Sequence, residues 1–86
     1  MLQNADIVNI YRAAQSNIRN TAEFIRAKDD IINGLKHKAE YADPSPMILK
    51  DLGLGVRQAL HDDFRNAGFH VHCFDHNSIS VGMSGI

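Results

Sequence analysis

The sequence predicts an α+β protein of order α-α-β-β: a long N-terminal helix, a second helix and a C-terminal β-hairpin. Three observations carry this. Apolar residues recur at spacings of three, four or seven through the first two-fifths of the chain, the repeat of a helix with one buried face. The segment YADPSP then interrupts the pattern with two prolines. After Gly68 the repeat drops to two, the period of a strand with one face on a core.

The first helix is predicted over about residues 4–40. Ile7, Tyr11, Ala14, Ile18, Thr21, Ile25, Ile32, Leu35 and Ala39 form its stripe, and Ile10, Phe24 and Ile31 widen it beyond a two-stranded coiled-coil seam. Asn4 or Asp6 could cap its start. The stretch RAKDD, 26–30, is the candidate break: Asp29 or Asp30 could cap a new helix, and Lys28 falls on the seam. No Gly or Pro marks a turn there and the periodicity resumes at Ile32. One long helix, bent or broken near 27–30 and roughly 55 Å at 1.5 Å per residue, is therefore preferred to a helical hairpin.

Residues 41–45 read as a loop. Asp43 is pushed out of the α region by Pro44, and Ser45–Pro46 reads as N-cap and first position of a helix over about 46–67. Its stripe is Leu49, Leu52, Val56, Ala59, Leu60, Phe64 and Ala67, with Gly68 placed for a left-handed terminus. Gly53 and Gly55 weaken this helix by about 1 kcal/mol each relative to Ala. A bend or poor first turn is preferred to a close helix approach across LGLG as the explanation.

The hairpin spans about 69–84. Phe69, Val71 and Cys73 point to one face and His70, His72 and Phe74 to the other. After a turn at Asp75–Asn77, Ile79, Val81 and Met83 alternate with Ser78, Ser80 and Gly82. A lone hairpin is marginal in water, and its edges carry no Lys, Arg or Pro to block pairing. The single domain, 1–86, is thus expected to complete itself as a homo-oligomer, with a dimer as the default. Tyr11, Ile18, Ile25, Ile32, Ile79 and Val81 are the candidate interface residues.

Composition narrows the function. At 44% apolar and 22% charged residues the chain is globular rather than disordered. A net charge of −1 gives no electrostatic footprint for a generic polyanion binder. One cysteine excludes an intrachain disulfide and fits a reducing compartment. The start, MLQNADIVNIYR, has neither the basic nor the apolar region of a secretory signal, and no apolar run approaches a membrane span. A cytoplasmic protein without membrane partners is expected.

The densest chemistry lies in HVHCFDH, 70–76. Alternation puts His70 and His72 on one face about 6.5–7 Å apart, close enough to share a Zn²⁺-type ion if His76, Asp75, His61 or a second subunit added a third ligand. No paired metal-binding framework supports this, so a solvated face is preferred. Cys73 points inward with Val71, away from a base, and reads as a small hydrophobe. His61, Asp62 and Asp63 fan out by 100° each on a helix and cannot share one ion; a solvent-facing surface is preferred there. Arg12, Arg19 and Arg26, spaced by seven, form a stripe that could meet a partner or nucleic-acid phosphates, or pair internally with Asp62 and Asp63.

No catalytic carboxylate pair, phosphate-cradling glycine loop or nucleophile elbow is present. The reading that follows is a small non-enzymatic interaction module without cofactor. It binds itself and another macromolecule, a protein before a nucleic acid, through Arg12, Arg19 and Arg26. Regulator, inhibitor and assembly factor are the candidate roles, by analogy of size and style with phage-encoded proteins that modulate host or defence systems. A metal-binding protein using His70, His72 and His76 is one alternative, and a nucleic-acid binder using the arginine stripe is the other.

Overall fold

Thr21 divides the first helical run. Its hydroxyl donates to the Ile18 carbonyl (2.6 Å) and accepts from the Phe24 amide (3.3 Å). One side chain thereby closes the last turn of one helix and caps the first turn of the next. In the computed structural model, which describes residues 1–85, these are α1 (Asn4–Arg19) and α2 (Ala22–Glu40). The continuous helix over 4–40 is corrected to two, and the joint lies at Asn20–Thr21 rather than 26–30; Asp29 and Asp30 sit inside α2. The molecule is 54 Å along its longest axis, about what α1 and α2 span end to end. The joint is a bend, not a hairpin turn.

The stripe changes phase at the joint. Phe24, Ala27, Ile31 and Leu35 form the buried line of α2, while Ile25 stays 50% exposed and Ile32 is half-buried. α2 ends in a Schellman pair: the Asp43 amide donates to the Lys38 carbonyl (2.8 Å) and the Ala42 amide to the Ala39 carbonyl (3.1 Å). The left-handed position is filled by Ala42 at φ 53°.

The segment after Pro44 forms a strand, not a helix. The Asp43 carboxylate accepts the Ser45 amide (3.0 Å), and Lys38 donates to the Ser45 hydroxyl (2.8 Å), so Ser45 serves the turn instead of capping a helix. Met47–Leu49 is β1. Its apolar alternation sets Met47 and Leu49 against the core and leaves Ile48 51% exposed. Asp51, at φ 60°, turns the chain. α3 then spans Leu54–Asn66 with Gly53 as its N-cap, the Gly53 amide donating to Glu23 (3.0 Å). The helix expected from 46 thus begins eight residues late because residues 47–49 pair with the sheet.

At Gly55 the close-approach explanation holds: a Cβ there would lie 2.5 Å from Ile18 Cδ1 of α1. α3 ends at Gly68, φ 93°, with a second Schellman pair. Phe69 and Phe64, the hydrophobic partners of that motif, meet edge to face at 5.5 Å.

β2 (His70–Asp75) and β3 (Ser78–Gly82) form the predicted hairpin. β1 pairs with the other side of β3, giving the antiparallel order β1-β3-β2. Among the described residues the element order is therefore α-α-β-α-β-β, with three strands where two are predicted. Met47, Val81 and Val71 align across the core face, and Ile48, Ser80 and His72 across the other. Phe24, Ile31, Leu35, Val56, Leu60 and Phe64 pack on Ile79 and Val81 as one core. Ile79 and Val81 are 0% exposed at its centre, so they are removed from the expected oligomer interface: β1 fills the edge of β3 that looked open.

Candidate functional site

α1 is held to the body by polar groups, with Ile18 packed on the core beside them. Tyr11, Gln15 and Arg19 share one line of the helix at spacings of four and face Asp62 and Asp63 of α3. The Gln15 amide donates to Asp62 Oδ2 (2.7 Å) and to the Tyr11 hydroxyl (2.6 Å), and the Tyr11 hydroxyl reaches the same Asp62 oxygen at 3.4 Å. Arg19 grips Asp63 through two nitrogens, the shorter contact being 2.8 Å, and donates to Gln15 Oε1 at 3.3 Å. Lys28 of α2 adds a longer contact to Asp63, 3.5 Å. Gln58 donates to Asp62 Oδ1 (3.1 Å), and His61 Nδ1 lies 3.0 Å from that oxygen.

Two protonation equilibria follow from this network. Burial pushes the Asp62 carboxyl up, but hydrogen bonds from Gln15, His61 and Gln58 outweigh it and hold the group below the ordinary carboxylate value. Tyr11 is raised by burial and by the Asp62 charge that its hydroxyl faces, with Arg19 opposing. The HDD triplet is accordingly no idle solvent face: all three side chains are partly buried, and two of them anchor α1.

The three arginines of the stripe sit in different surroundings. Arg19 is committed to Asp63, whereas Arg12 and Arg26 are exposed, one on α1 and the other on α2 beyond the bend. The histidines of the hairpin lie on the surface. His70, His72 and His76 are exposed, and the His72 ring stacks on Phe74 at 6.2 Å. Among the described residues no group of three or more His, Cys, Asp or Glu side chains is placed to hold a metal ion. Cys73 is half-buried against the core.

An apolar surface remains on α1. The helix is described throughout, and of its 16 residues only Gln15 is buried. Ile7, Ile10 and Tyr11 stay 51%, 62% and 47% exposed, and Leu54 at the start of α3 is 62% exposed. Beside them runs a groove of about 410 Å³ between α1 and α3, lined by Tyr11, Ala14, Gln15, Ile18, Leu54, Gly55 and Gln58. Of the predicted interface residues, Tyr11 and Ile18 line this groove; Ile25 and Ile32 lie on α2, away from it. Sequence reasoning missed Gln15, Leu54 and Gln58. The signal for Gln15 was its place midway between Tyr11 and Arg19 on one helix line. Among the described residues no helix is long and apolar enough to cross a membrane. No protein-family model, curated protein or solved structure matches the chain, so the functional reading stands on this geometry alone.

Proposed function

We propose that the chain is a non-enzymatic interaction module whose contact surface is the apolar face of α1. The observation that supports this is the contrast within one helix: α1 buries a single residue, Gln15, while Ile7, Ile10 and Tyr11 remain near half exposed or more. A helix of 16 residues gains most of its stability from packing an apolar face, because isolated helices of about 12–15 residues are marginal in water. Here the body takes the polar line of α1 together with Ile18, and leaves Ile7 and Ile10 outward. Clustered exposed aliphatic side chains of this kind mark protein contacts. The polar groups at the α1–α3 seam satisfy one another, which suits an anchoring role rather than acid–base chemistry.

The test pairs immobilised wild-type chain with an Ile7→Asp, Ile10→Asp double variant, and compares the associations each makes with itself and with proteins of its host. Both substituted positions are exposed, so circular dichroism should show an unchanged fold. Loss of the associations in the double variant is the expected result. Identical associations for both chains would remove α1 as the contact surface.

A further inference from the structure

We propose that the α1–α3 groove is occupied by α1 of a second copy of this chain, in a two-fold dimer whose α1 helices run antiparallel. This rests on the reading of α1 as the contact surface and names its occupant. The groove floor is apolar, formed by Ala14, Ile18 and Gly55, with the exposed Leu54 on its edge. Its polar rim is already engaged, since Gln15 and Gln58 donate to Asp62 and Tyr11 accepts from Gln15. An uncharged aliphatic side chain is therefore the ligand that it fits, because a charged or strongly polar one would lose its water without finding partners.

The chain carries such side chains on the same helix. Ile7 falls on the line of Tyr11, Ala14 and Ile18, at spacings of four, three and four, and Ile10 lies beside it. Neither can fold back into its own groove, because both belong to the rigid helix that forms one wall. A second helix laid antiparallel, with the two-fold axis level with the space between Ile10 and Tyr11, brings Ile7 of each copy level with Ala14 of the other. Ile10 comes level with Tyr11 in the same way. Large then meets small at the groove, and each copy both gives and receives. Laid parallel, Ile7 would meet Ile7 and Ala14 would meet Ala14, leaving both grooves empty. Antiparallel packing also sets the helix dipoles head to tail.

Charge and area agree with this occupant. The stripe Gln3, Ile7, Ile10, Tyr11 and Ala14 carries no charged residue, so two identical faces do not repel. Ile7, Ile10, Tyr11 and Leu54, exposed by 47–62%, together with the groove floor offer on the order of 500 Å² from each copy. The pair would bury about 1,000 Å², at the lower limit for a specific interface. A reversible dimer of micromolar strength is the expected result.

Sedimentation of the purified chain across the micromolar range tests this. The wild type should pass from monomer to dimer with concentration, and Ile7→Asp should weaken the dimer by about 100-fold or more, since two charges per dimer would enter the grooves. Orientation is read by a short bismaleimide crosslinker on the Cys73→Ser background. A mixture of I7C and A14C should give the mixed crosslinked dimer, with I7C alone crosslinking poorly. Preferential I7C self-crosslinking would overturn the antiparallel arrangement, and a wild type that stays monomeric would overturn the dimer. If the wild type is monomeric while the Ile7→Asp, Ile10→Asp chain still loses a host protein, the α1 contact surface survives and only the second copy is overturned.

Discussion

Replacing Asp62 with alanine should release α1 from the body while leaving the core intact. The carboxylate receives Gln15 at 2.7 Å, Gln58 at 3.1 Å and Tyr11 at 3.4 Å. Hydrogen bonds to a charged group are each worth about 1.5–3 kcal/mol, and a buried amide left without its partner costs about 1–3 kcal/mol. Gln15 is only 9% exposed, so its amide falls in the second class. The Asp62 side chain itself is 31% exposed, so water replaces part of what is lost. The lower end of both ranges applies, and a loss of about 2 kcal/mol follows. In a domain of this size that lowers the melting temperature by roughly 10 °C. The effect should be local. Amide exchange in α1 should quicken by about 30-fold, the factor that corresponds to 2 kcal/mol, while β3 and α3 change less. A cycle with Gln15→Leu separates the pair: the double variant should cost at least about 1 kcal/mol less than the two single losses added. If Asp62→Ala melted within about 2 °C of the wild type and α1 exchange were unchanged, the seam would not anchor α1.

Three further outcomes follow from particular positions. Ala42 occupies a left-handed helix terminus at φ 53°, a conformation costing an L-residue roughly 1–2 kcal/mol; Ala42→Gly should therefore stabilise by about 0.5–1 kcal/mol once the added freedom of the unfolded chain is deducted, read as a higher urea midpoint at constant slope. Arg19→Ala, which breaks the partly buried grip on Asp63, should cost about 1–2 kcal/mol, between an exposed and a buried pair, whereas Arg12→Ala and Arg26→Ala should stay within about 0.5 kcal/mol in the same denaturant titration. Asp62, Asp43 and Asp75 all sit below the ordinary carboxylate value: Asp62 through its side-chain partners against the push of burial, Asp43 chiefly through the Ser45 amide, and Asp75 chiefly through the Ser78 hydroxyl. Each favours the folded state above the unfolded carboxylate pKa of about 3.9, and that contribution is lost as pH falls through the folded value; Asp62→Asn should flatten the acid limb of a stability–pH curve.

How far the sequence could be read depended on the length over which each pattern runs. The β2–β3 hairpin was legible because alternation is sustained from Phe69 to Met83, and Gly68 announced the end of α3. β1 was not. Three residues, Met47–Leu49, are too few to show a period of two, and Ser45–Pro46 offered a plausible helix start. What makes them a strand is the free side of β3, about thirty positions away in the chain. The joint at Thr21 was hidden for a different reason. Its hydroxyl serves two helix ends at once, and neither bond leaves a mark on apolar periodicity. At the seam, the seven-residue spacing of the arginines was visible and Asp62 and Asp63 stood out as possible partners. Which arginine would find them depended on the bend, since only Arg19 lies level with Asp63.

The apolar line of α1 is not the line by which the two helices pack on the body. The stripe of Ile7, Tyr11, Ala14 and Ile18 continues in sequence into Ile25 and Ile32, which α2 leaves 50% exposed and half-buried. α2 buries Phe24, Ala27, Ile31 and Leu35 instead. α1 is docked through Gln15 and Arg19, roughly a quarter-turn round the helix from its aliphatic line, of which only Ile18 packs on the core. Polar docking in partial contact with water is worth less than apolar burial of the same helix, so α1 should be the least stable part of the body. Covering Ile7 and Ile10 would add the missing apolar contribution, about 1–2 kcal/mol for each side chain. Association and helix docking are thereby coupled: whatever binds the outer face of α1 also tightens its hold on Asp62 and Asp63, and loosening that hold weakens the binding in turn.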